Sequence, residues 1–472
     1  MTPTAVAALD FGASSGRVIV GEVAPESLAL RSFGRFANRP VQVRSRLHWD
    51  VLALFEGAIT GLREAGREYP RLAAVAVDTW GVDYALLRGG RLLSNPVHYR
   101  DGRTASVVAT VQSRMPAAQQ YRVAGIQDMP INTIYQLAAE AEDGLLEVAE
   151  SVLLVPDLFT YWLSGARFAE RTMASTTGML DARTRQWDRA LVAASGTAPG
   201  LLPELVDPGT PLGALRPDVV RVTGLHNAVQ VVAAGSHDTA SAVVAVPLAS
   251  ERSAFVSCGT WGLVGVERPA PELGDAAREA GFTNEAGVDG KTLLMRNVMG
   301  LWILSEAVRE WERRGEVIRL SELLAQAAEV TGAVPLIDVD DPEFLPPGDM
   351  PARIARWCLD RGIEPPHGIP AVARCIVESL AHAFAQAVRR AGEISGSPVD
   401  CVHIVGGGAQ NALLCQRTAD FSGLPVLAGP VEATALGSIL VQARTVGVLH
   451  GTLADLRTLV RHTHDLVRYE PR

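Results

Sequence analysis

Two turns of small residues, half a chain apart, constrain most strongly what this sequence can fold into. Residues 10–16 (DFGASSG) and 257–262 (SCGTWG) each join two runs of β-type residues, a pattern that predicts a β-hairpin. Aligning Gly12 with Gly259 gives an offset of 247 residues in a chain of 472. The repeat therefore predicts two halves of like topology, each opening with a hairpin whose turn presents backbone N–H groups.

Strands alternate with helices between and after these hairpins. The apolar run 72–77 predicts a buried strand, and apolar residues at every fourth position over 372–388 predict one face of a helix. Such alternation favours an α/β fold with mixed or parallel sheets. A boundary near 247–253 predicts two domains, 1–247 and 248–472, packed around a cleft.

Composition disfavours several classes of protein. The 43 basic and 52 acidic residues give a net charge of −9, whereas a nucleic-acid groove needs a basic footprint. The sequence shows no apolar stretch of about 18 residues that would span a membrane, and no basic region typical of a signal peptide. Five cysteines are too few for a secreted disulfide framework. We therefore expect a cytoplasmic protein with no membrane or nucleic-acid partner, in which Cys358 and Cys375 are two buried thiols.

The first turn carries residues suited to binding phosphate. Its small residues allow backbone N–H groups to approach an anion, Ser14 and Ser15 add hydroxyl donors, and Arg17 adds positive charge. Asp10 precedes the turn and could orient a metal-bound water, since Mg²⁺ takes one or two carboxylates plus phosphate oxygens. An ordinary hairpin turn with a turn-capping Asp10 is the alternative.

The second half of the chain offers two weaker phosphate signals. Gly259 and Thr260 supply an amide and a hydroxyl for a terminal phosphate. The three glycines 406–408 lie between a strand and a helix, where missing side chains leave room for a flat ring or a phosphate. Their spacing matches neither a Rossmann fingerprint nor a P-loop. A tight strand-to-helix turn is the alternative.

Three other positions could contact a substrate. Asp238 opens an Ala-rich helix, so it either caps that helix or accepts a proton from a substrate hydroxyl during phosphoryl transfer, with His237 donating to a sugar hydroxyl. The polar and aromatic cluster 78–83 follows the end of a strand, where α/β folds place ligands, although Trp80 could simply pack on the core. Asn297 is either a sugar-hydroxyl partner or a helix cap.

Six segments, in order along nearly the whole chain, resemble the FGGY carbohydrate kinases, a family of the actin-like ATPase superfamily. Within that family, the Ala-Ser-Ser-Gly-Arg turn and the Trp-Gly-Val-Asp segment are similar to the L-rhamnulose kinases. The segments are Asp10–Arg17, Asp78–Asp83, His237–Thr239, Cys258–Gly262, Asn297–Trp302 and Gly406–Asn411.

The resemblance implies two ribonuclease-H-like (actin-like ATPase) domains around a central cleft that closes on ATP, Mg²⁺ and a sugar. It implies that Asp238 is the proton acceptor and that Asp10 lies near the metal. It places ATP contacts at Ala13, Ser14, Ser15, Gly16, Arg17, Thr260 and Gly407. It places substrate contacts at Gly81, His237, Asp238, Thr239 and Asn297. Ser305 stands where the family can carry a nucleotide-contacting glutamine, and it is not included.

The resemblance implies ATP-dependent phosphorylation of the 1-hydroxyl of L-rhamnulose, in L-rhamnose degradation, by a monomer or homodimer with Asp238 as general base. One alternative is an FGGY kinase for L-fuculose, L-xylulose or a related ketose, because pocket contacts decide among epimers. The other is an actin-like nucleotide-switch protein that hydrolyses ATP slowly and needs no aspartate at a sugar hydroxyl.

Overall fold

The structure, a computed structural model, describes residues 3–248 and 250–472, so Ala249 in the predicted boundary segment lies outside the described residues. The chain divides into two compact units. Unit 1 comprises Met1–Pro247, Glu267–Leu294 and Ala433–Thr463. Unit 2 comprises Leu248–Val266, Met295–Glu432 and His464–Arg472. Each unit combines segments that are distant in sequence, and the contiguous division at residue 247 remains a prediction.

Strands and helices alternate along the described residues, and the predicted α/β class is confirmed. The strands are β1 Thr4–Phe11, β2 Ser15–Ala24, β3 Ser27–Ala37, β4 Val41–Val43, β5 Arg46–His48, β6 Ala74–Thr79, β7 Tyr84–Arg88, β8 Arg91–Leu92, β9 Ser151–Leu154, β10 Ala169–Glu170, β11 Leu205–Val206, β12 Pro211–Ala214, β13 Gln230–Val232, β14 Ser253–Cys258, β15 Trp261–Arg268, β16 Phe282–Ala286, β17 Thr292–Met299, β18 Cys401–Val405, β19 Val426–Ala428 and β20 Val467–Tyr469. The helices are α1 Val51–Glu68, α2 Val108–Arg114, α3 Ala117–Ala124, α4 Thr133–Glu142, α5 Leu145–Val148, α6 Val155–Ser164, α7 Arg171–Ser175, α8 Arg189–Ala194, α9 Pro217–Thr223, α10 Asp238–Ala245, α11 Asp275–Glu279, α12 Trp302–Arg313, α13 Leu320–Glu329, α14 Met350–Leu359, α15 Ile369–Ser395, α16 Ala412–Ser422, α17 Ala433–Thr445 and α18 Leu453–Thr463.

Unit 1 contains a mixed sheet with the strand order β12-β13-β6-β1-β2-β3. Strands β1 and β2 form the predicted first hairpin, and β3 pairs antiparallel with β2. Strand β6 lies parallel to both β1 and β13. The strand predicted at 72–77 is confirmed with its bounds shifted to 74–79. The carboxyl ends of three parallel strands therefore meet at one edge of this sheet.

Unit 2 contains a sheet in which strands lie in the order β17-β15-β14-β18-β19-β20. Strands β14 and β15 form the predicted second hairpin. Strand β18 lies parallel to β14, as β6 lies parallel to β1 in unit 1. The like topology that the repeated turn predicts is confirmed, because each hairpin is extended on its first strand by a parallel strand from later in the chain.

The predicted long helix of unit 2 is α15, which begins with proline in its first turn. The apolar residues at every fourth position, from Val372 to Val388, are all buried. Phe384 packs against the second hairpin, where a Cβ on Gly262 would lie 2.6 Å from its ring. The helical periodicity therefore correctly identified the face that covers the sheet.

The cysteines match the expectation from composition. All five cysteines carry free thiols, and Cys358 and Cys375 are buried. None of the described helices is long and apolar enough to cross a membrane.

Helices α10 and α17 of unit 1 pack at unusually close range. A Cβ on Gly437 of α17 would overlap the carbonyl oxygen of Ser241 on α10. Because a backbone atom cannot move aside as a flexible side chain can, only glycine fits at this crossing. The close approach fixes the position of α10, the helix that Asp238 begins.

We expect Gly437→Ala to lower the free energy of unfolding by about 1–3 kcal/mol, the usual effect of overpacking a close-packed interior. The gain in helix propensity from alanine, about 1 kcal/mol, would not offset the clash. Urea unfolding followed by circular dichroism measures the change. Gly200→Ala is the matched control, because a Cβ on Gly200 meets no atom within 4 Å. Equal stability of the two variants would contradict the packing argument.

Candidate active site

One edge of the unit 1 sheet gathers four ionisable residues from three distant parts of the sequence. Asp10 and Asp78 are direct partners at the carboxyl ends of the parallel strands β1 and β6. Thr79 forms a β-bridge with His237, which the chain reaches shortly after β13. Asp238 follows directly, and we call Asp10, Asp78, His237 and Asp238 the strand-edge cluster. Ligands bind at this end of parallel strands in α/β folds.

Asp10 is paired with Arg17 across the first hairpin. The Nε and Nη2 atoms of Arg17 both donate to Oδ2 of Asp10, at 2.9 and 2.8 Å. Sequence reasoning assigned Arg17 to phosphate and missed this partner, although the two residues face each other in the hairpin register. About a fifth of the Arg17 side chain remains exposed (22%), so the paired guanidinium still presents positive charge beside the turn.

The first turn is fastened by a residue that sequence reasoning also missed. The buried Asn38 donates its side-chain amide to the carbonyl of Gly12 (2.9 Å) and its backbone N–H to the carbonyl of Ser14 (3.0 Å). Ser14 is exposed, and Ala13 and Ser15 are half-buried. A Cβ on Gly16 would overlap the Phe36 ring, so packing explains this glycine. The turn is therefore held in place, with Ser14 at its surface.

Asp78 is a buried carboxyl group in an unusual setting. Its side chain is fully buried, and neither of its oxygens makes a well-formed hydrogen bond. Burial raises the pKa of Asp78 well above its ordinary value, and the neighbouring carboxylates of Asp10 and Asp238 raise it further. The surroundings of Asp78 therefore disfavour its charged form.

His237 lies between two carboxylates. Its Nδ1 is 2.9 Å from Oε2 of Glu285, and its Nε2 is 3.4 Å from Oδ1 of Asp238. Burial by itself lowers the pKa of His237, but the ion pair with Glu285 and the charge of Asp238 outweigh burial and raise the pKa to about 9. His237 is therefore cationic at neutral pH. Glu285, from β16, was not among the residues that the sequence singled out.

Asp238 is the first residue of α10 and does not occupy the N-cap position, which belongs to His237. The capping alternative is therefore wrong. Its Oδ1 accepts a hydrogen bond from the Thr239 hydroxyl at 3.1 Å, and about a third of its side chain (34%) is exposed. The pKa of Asp238 lies above its ordinary value. Burial raises this pKa most, the charge of Asp10 raises it further, and the cation of His237 lowers it in part. An accessible carboxylate beside a cation, at a helix N-terminus, suits a proton acceptor.

The short helix α7 connects this cluster to the neighbouring segments through Glu170, which sequence reasoning missed. The buried Glu170 carboxylate accepts hydrogen bonds from the backbone N–H groups of Thr172 (2.8 Å), Met173 (3.2 Å) and Ser236 (3.0 Å). The Thr172 hydroxyl accepts from the backbone N–H of His237 at 3.2 Å. These bonds set the path of the chain immediately before Asp238.

The 78–83 segment combines core residues with the half-buried Gly81. Trp80 is buried and packs against Trp49, with ring centroids 4.1 Å apart and ring planes inclined by 36°, so the core-packing alternative for Trp80 is confirmed. Asp83 accepts from the indole N–H groups of Trp49 (2.5 Å) and Trp80 (3.0 Å), and burial raises its pKa to about 6. Gly81 is different, because a Cβ there would lie 3.4 Å from Nε2 of His237.

In unit 2, two of the three consecutive glycines have packing explanations. A Cβ on Gly406 would lie 2.9 Å from the carbonyl oxygen of Cys258, and one on Gly408 would lie 2.5 Å from the Cys258 side chain. Gly407 is exposed, and a Cβ there would meet only ordinary contacts at 3.9 Å. The tight-turn alternative therefore accounts for Gly406 and Gly408, and Gly407 is the position open to a ligand.

The other two predicted positions of unit 2 lie on the second turn and on β17. The turn is held by the residues after β17, because Trp302 donates its backbone N–H to the carbonyl of Thr260 at 3.2 Å. Asn297 is half-buried within β17, so the helix-cap alternative for Asn297 is wrong. Asp340 braces this strand by accepting from Arg296 (2.9 Å) and from the backbone of Met299 (3.0 Å).

The donor chemistry of the strand-edge cluster fits Mg²⁺. Its carboxylates are hard oxygen ligands, and the buried Asp78 oxygens lack good partners. Among the described residues, no group of three or more His, Cys, Asp or Glu side chains could hold an ion alone. In proteins, Mg²⁺ is usually bound through one or two carboxylates together with phosphate oxygens.

Family models match most of the chain. The N-terminal domain of the FGGY family of carbohydrate kinases matches residues 5–245, and the C-terminal domain matches residues 254–446. A rhamnulokinase from Bacteroides thetaiotaomicron is 37% identical over 98% of this chain and 95% of its own length. A rhamnulokinase from Pectobacterium carotovorum is 39% identical over 99% of this chain and 93% of its own.

Solved structures share the fold at low sequence identity. A xylulose kinase from Lactobacillus acidophilus superposes with a TM-score of 0.80 at 16% identity, covering 99% of this chain and 94% of its own. The Plasmodium falciparum glycerol kinase with ADP gives a TM-score of 0.79 at 13% identity, covering 100% of this chain and 95% of its own.

We expect Glu285→Gln to destabilise the protein in a pH-dependent way. The pKa of His237, about 9 when folded, exceeds the ordinary 6.5, so the ion pair contributes fully below about pH 6.5. Its contribution should disappear as pH rises through 9. Urea unfolding of both proteins between about pH 6 and pH 10 measures the difference. The exposed Glu56→Gln is the control, and a constant deficit for Glu285→Gln would contradict the pairing.

Proposed function

The chain belongs to the FGGY family of carbohydrate kinases, and we propose that it transfers the γ-phosphate of ATP to the 1-hydroxyl of L-rhamnulose. Two rhamnulokinases that are 37% and 39% identical over nearly the whole chain support this substrate. The observation that carries the chemistry is the accessible carboxylate of Asp238 beside the cationic His237. Membership of a family of carbohydrate kinases disfavours the nucleotide-switch alternative.

In the proposed reaction, Asp238 accepts the proton of the sugar 1-hydroxyl. The freed oxygen attacks the γ-phosphorus in line, a new P–O bond forms, and the bond to the β–γ bridging oxygen breaks. The products are L-rhamnulose 1-phosphate and ADP. The cationic His237 donates from Nε2 to another sugar hydroxyl, while the carboxylate of Glu285 lies 2.9 Å from its other nitrogen as a counter-ion.

The other predicted site residues are assigned either to ATP or to the sugar. In unit 1, the surface turn from Ala13 to Arg17 offers amides, hydroxyls and a guanidinium to the ATP phosphates. In unit 2, Thr260 and the open Gly407 contact the nucleotide. Gly81, Thr239 and Asn297 contact the sugar. The structure supports these roles by leaving Gly407 and Ser14 exposed and by placing Gly81 beside His237.

We propose that Mg²⁺ accompanies ATP and that Asp10 orients it through bound water. When bound, Mg²⁺ would offset the negative charge of the phosphates. The buried ion pair with Arg17 fixes the Asp10 carboxylate in one orientation for that role. Because ATP is the phosphoryl donor, we also propose that the enzyme acts in the cytoplasm. We propose further that it acts in L-rhamnose degradation, and that it is a monomer or homodimer.

The first experiment is ADP release from Mg·ATP with L-rhamnulose, L-fuculose, L-xylulose, D-xylulose, D-ribulose and glycerol, with a reaction lacking sugar as control. We expect the highest kcat/KM with L-rhamnulose and little ADP without sugar. Preference for another ketose would overturn the substrate but keep the role of Asp238. ADP release that is indifferent to every sugar would overturn the proposed function and favour a nucleotide switch.

Asp238→Asn removes the proton acceptor while keeping the size of the side chain. We expect kcat to fall by about 10²–10⁴-fold, the usual contribution of a general base. ATP affinity, measured by calorimetry, should change by less than about threefold, because nothing that holds the phosphates is altered. The exposed Asp275→Asn is the matched control. Activity of Asp238→Asn close to that of the control would exclude Asp238 as the base.

A further inference from the structure

Val82, next to the proposed sugar contact Gly81, has a strained backbone. The N–H of Asp83 donates to the carbonyl of Gly81 at 2.9 Å, and φ of Val82 is +68°. Together these values define a γ-turn of the positive-φ form, which is rare. For a β-branched residue this conformation is a marked outlier, and such strain persists only where surrounding contacts enforce it.

Contacts from three directions hold the turn in this shape. The N–H of Val82 donates to Oγ1 of Thr176 at 3.1 Å, and that hydroxyl donates onward to the carbonyl of Met173 at 2.9 Å. The carbonyl of Val82 accepts from the hydroxyl of Thr133 at 2.6 Å. The Val82 side chain packs against the core of unit 1. The backbone N–H and carbonyl of Val82 therefore both have hydrogen-bond partners.

The turn determines how Gly81 lies beside His237. A Cβ on Gly81 would lie 3.2 Å from Cγ2 and 3.3 Å from Oγ1 of Thr176, and 3.4 Å from Nε2 of His237. Gly81, Thr176 and the proposed hydroxyl donor thus meet within a side chain's width. A shift of the turn would change the space beside Nε2 of His237.

We propose that the γ-turn at Val82, held by Thr176, selects the sugar among ketose epimers. This inference rests on the proposed function and deepens it. Gly81 gives the pocket a wall without a side chain, and the strained turn fixes that wall so that one arrangement of sugar hydroxyls fits. A relaxed turn lets the wall move, which admits other epimers and weakens the preferred contact. Val82 and Thr176 act as positioning residues, through Gly81.

Valine, and not glycine, occupies position 82, although glycine would adopt the positive φ without strain. The choice of residue supports the proposal. Glycine tolerates positive φ but also visits many other conformations, so it would leave the turn mobile. Valine accepts the strain and adds a side chain anchored in the core. The arrangement therefore favours a rigid wall over a relaxed one.

The test compares Val82→Gly and Thr176→Val with the wild type on the panel of ketoses. Val82→Gly releases the strain and the anchor, and Thr176→Val removes the acceptor of the Val82 N–H while keeping the shape. We expect each variant to raise KM for the preferred ketose about tenfold and to lower its preference over the next ketose about tenfold. KM for ATP should stay within about twofold of the wild-type value.

Two further variants separate positioning from general stability. Arg44→Gly relieves another positive φ (+52°) at an exposed hairpin and should leave both KM values unchanged. Thr176→Ser keeps the hydroxyl and should restore most of the preference that Thr176→Val loses. Because preference is measured as a ratio, it is taken against whichever ketose the wild type favours, so a wrong substrate assignment does not decide this test.

Unchanged ketose preference in both Val82→Gly and Thr176→Val would overturn the inference. An equal loss of kcat on every ketose, with KM for ATP also altered, would overturn it too, because that pattern indicates general damage to the fold. If Val82→Gly fails to fold, the pair Thr176→Val and Thr176→Ser decides alone. Loss of preference in the first and its return in the second supports the inference.

Discussion

The candidate site of unit 1 depends on the buried carboxylate of Glu170. A buried charge is costly unless hydrogen bonds satisfy it, and burial accordingly raises the pKa of this group. Backbone donors at the start of α7 and at Ser236, together with the Thr172 hydroxyl, supply those bonds. Because the donors belong to segments more than sixty residues apart, satisfying one carboxylate joins α7 to the chain before Asp238.

Helix α7 then carries that constraint to two other parts of the site. At its far end, Thr176 accepts from Val82, and Ser175 accepts from the backbone N–H of Ala286 at 2.9 Å. Ala286 follows Glu285, the partner of His237. A helix of five residues thereby positions Asp238, Glu285 and the turn beside Gly81. The site is rigid because its supports are buried and mutually bonded.

Carboxyl groups outnumber cations in and around the strand-edge cluster. Arg17 pairs with Asp10, and Glu285 and Asp238 flank the cationic His237, while the two buried oxygens of Asp78 lack a well-formed hydrogen bond. Burial raises the pKa of Asp78, and the like charges of Asp10 and Asp238 raise it further. A site arranged this way accommodates further positive charge more easily than further negative charge, which agrees with phosphates arriving together with a cation.

Short-range turn chemistry and apolar periodicity specify the two hairpins, the strand predicted at 72–77 and the long helix α15, and these elements could be predicted from the sequence. The sequence also singled out Asp238, His237 and Gly81 through local motifs and a family resemblance.

Asn38, Glu170 and Glu285 were recognised as supports only in the tertiary structure, since each acts on a partner far along the chain. The tertiary structure also decided that Gly406 and Gly408 serve packing against Cys258, whereas Gly407 stays open. Parallel pairing of β1, β6 and β13 brings distant residues to one edge, and no local pattern encodes which buried carboxylate will meet which donor.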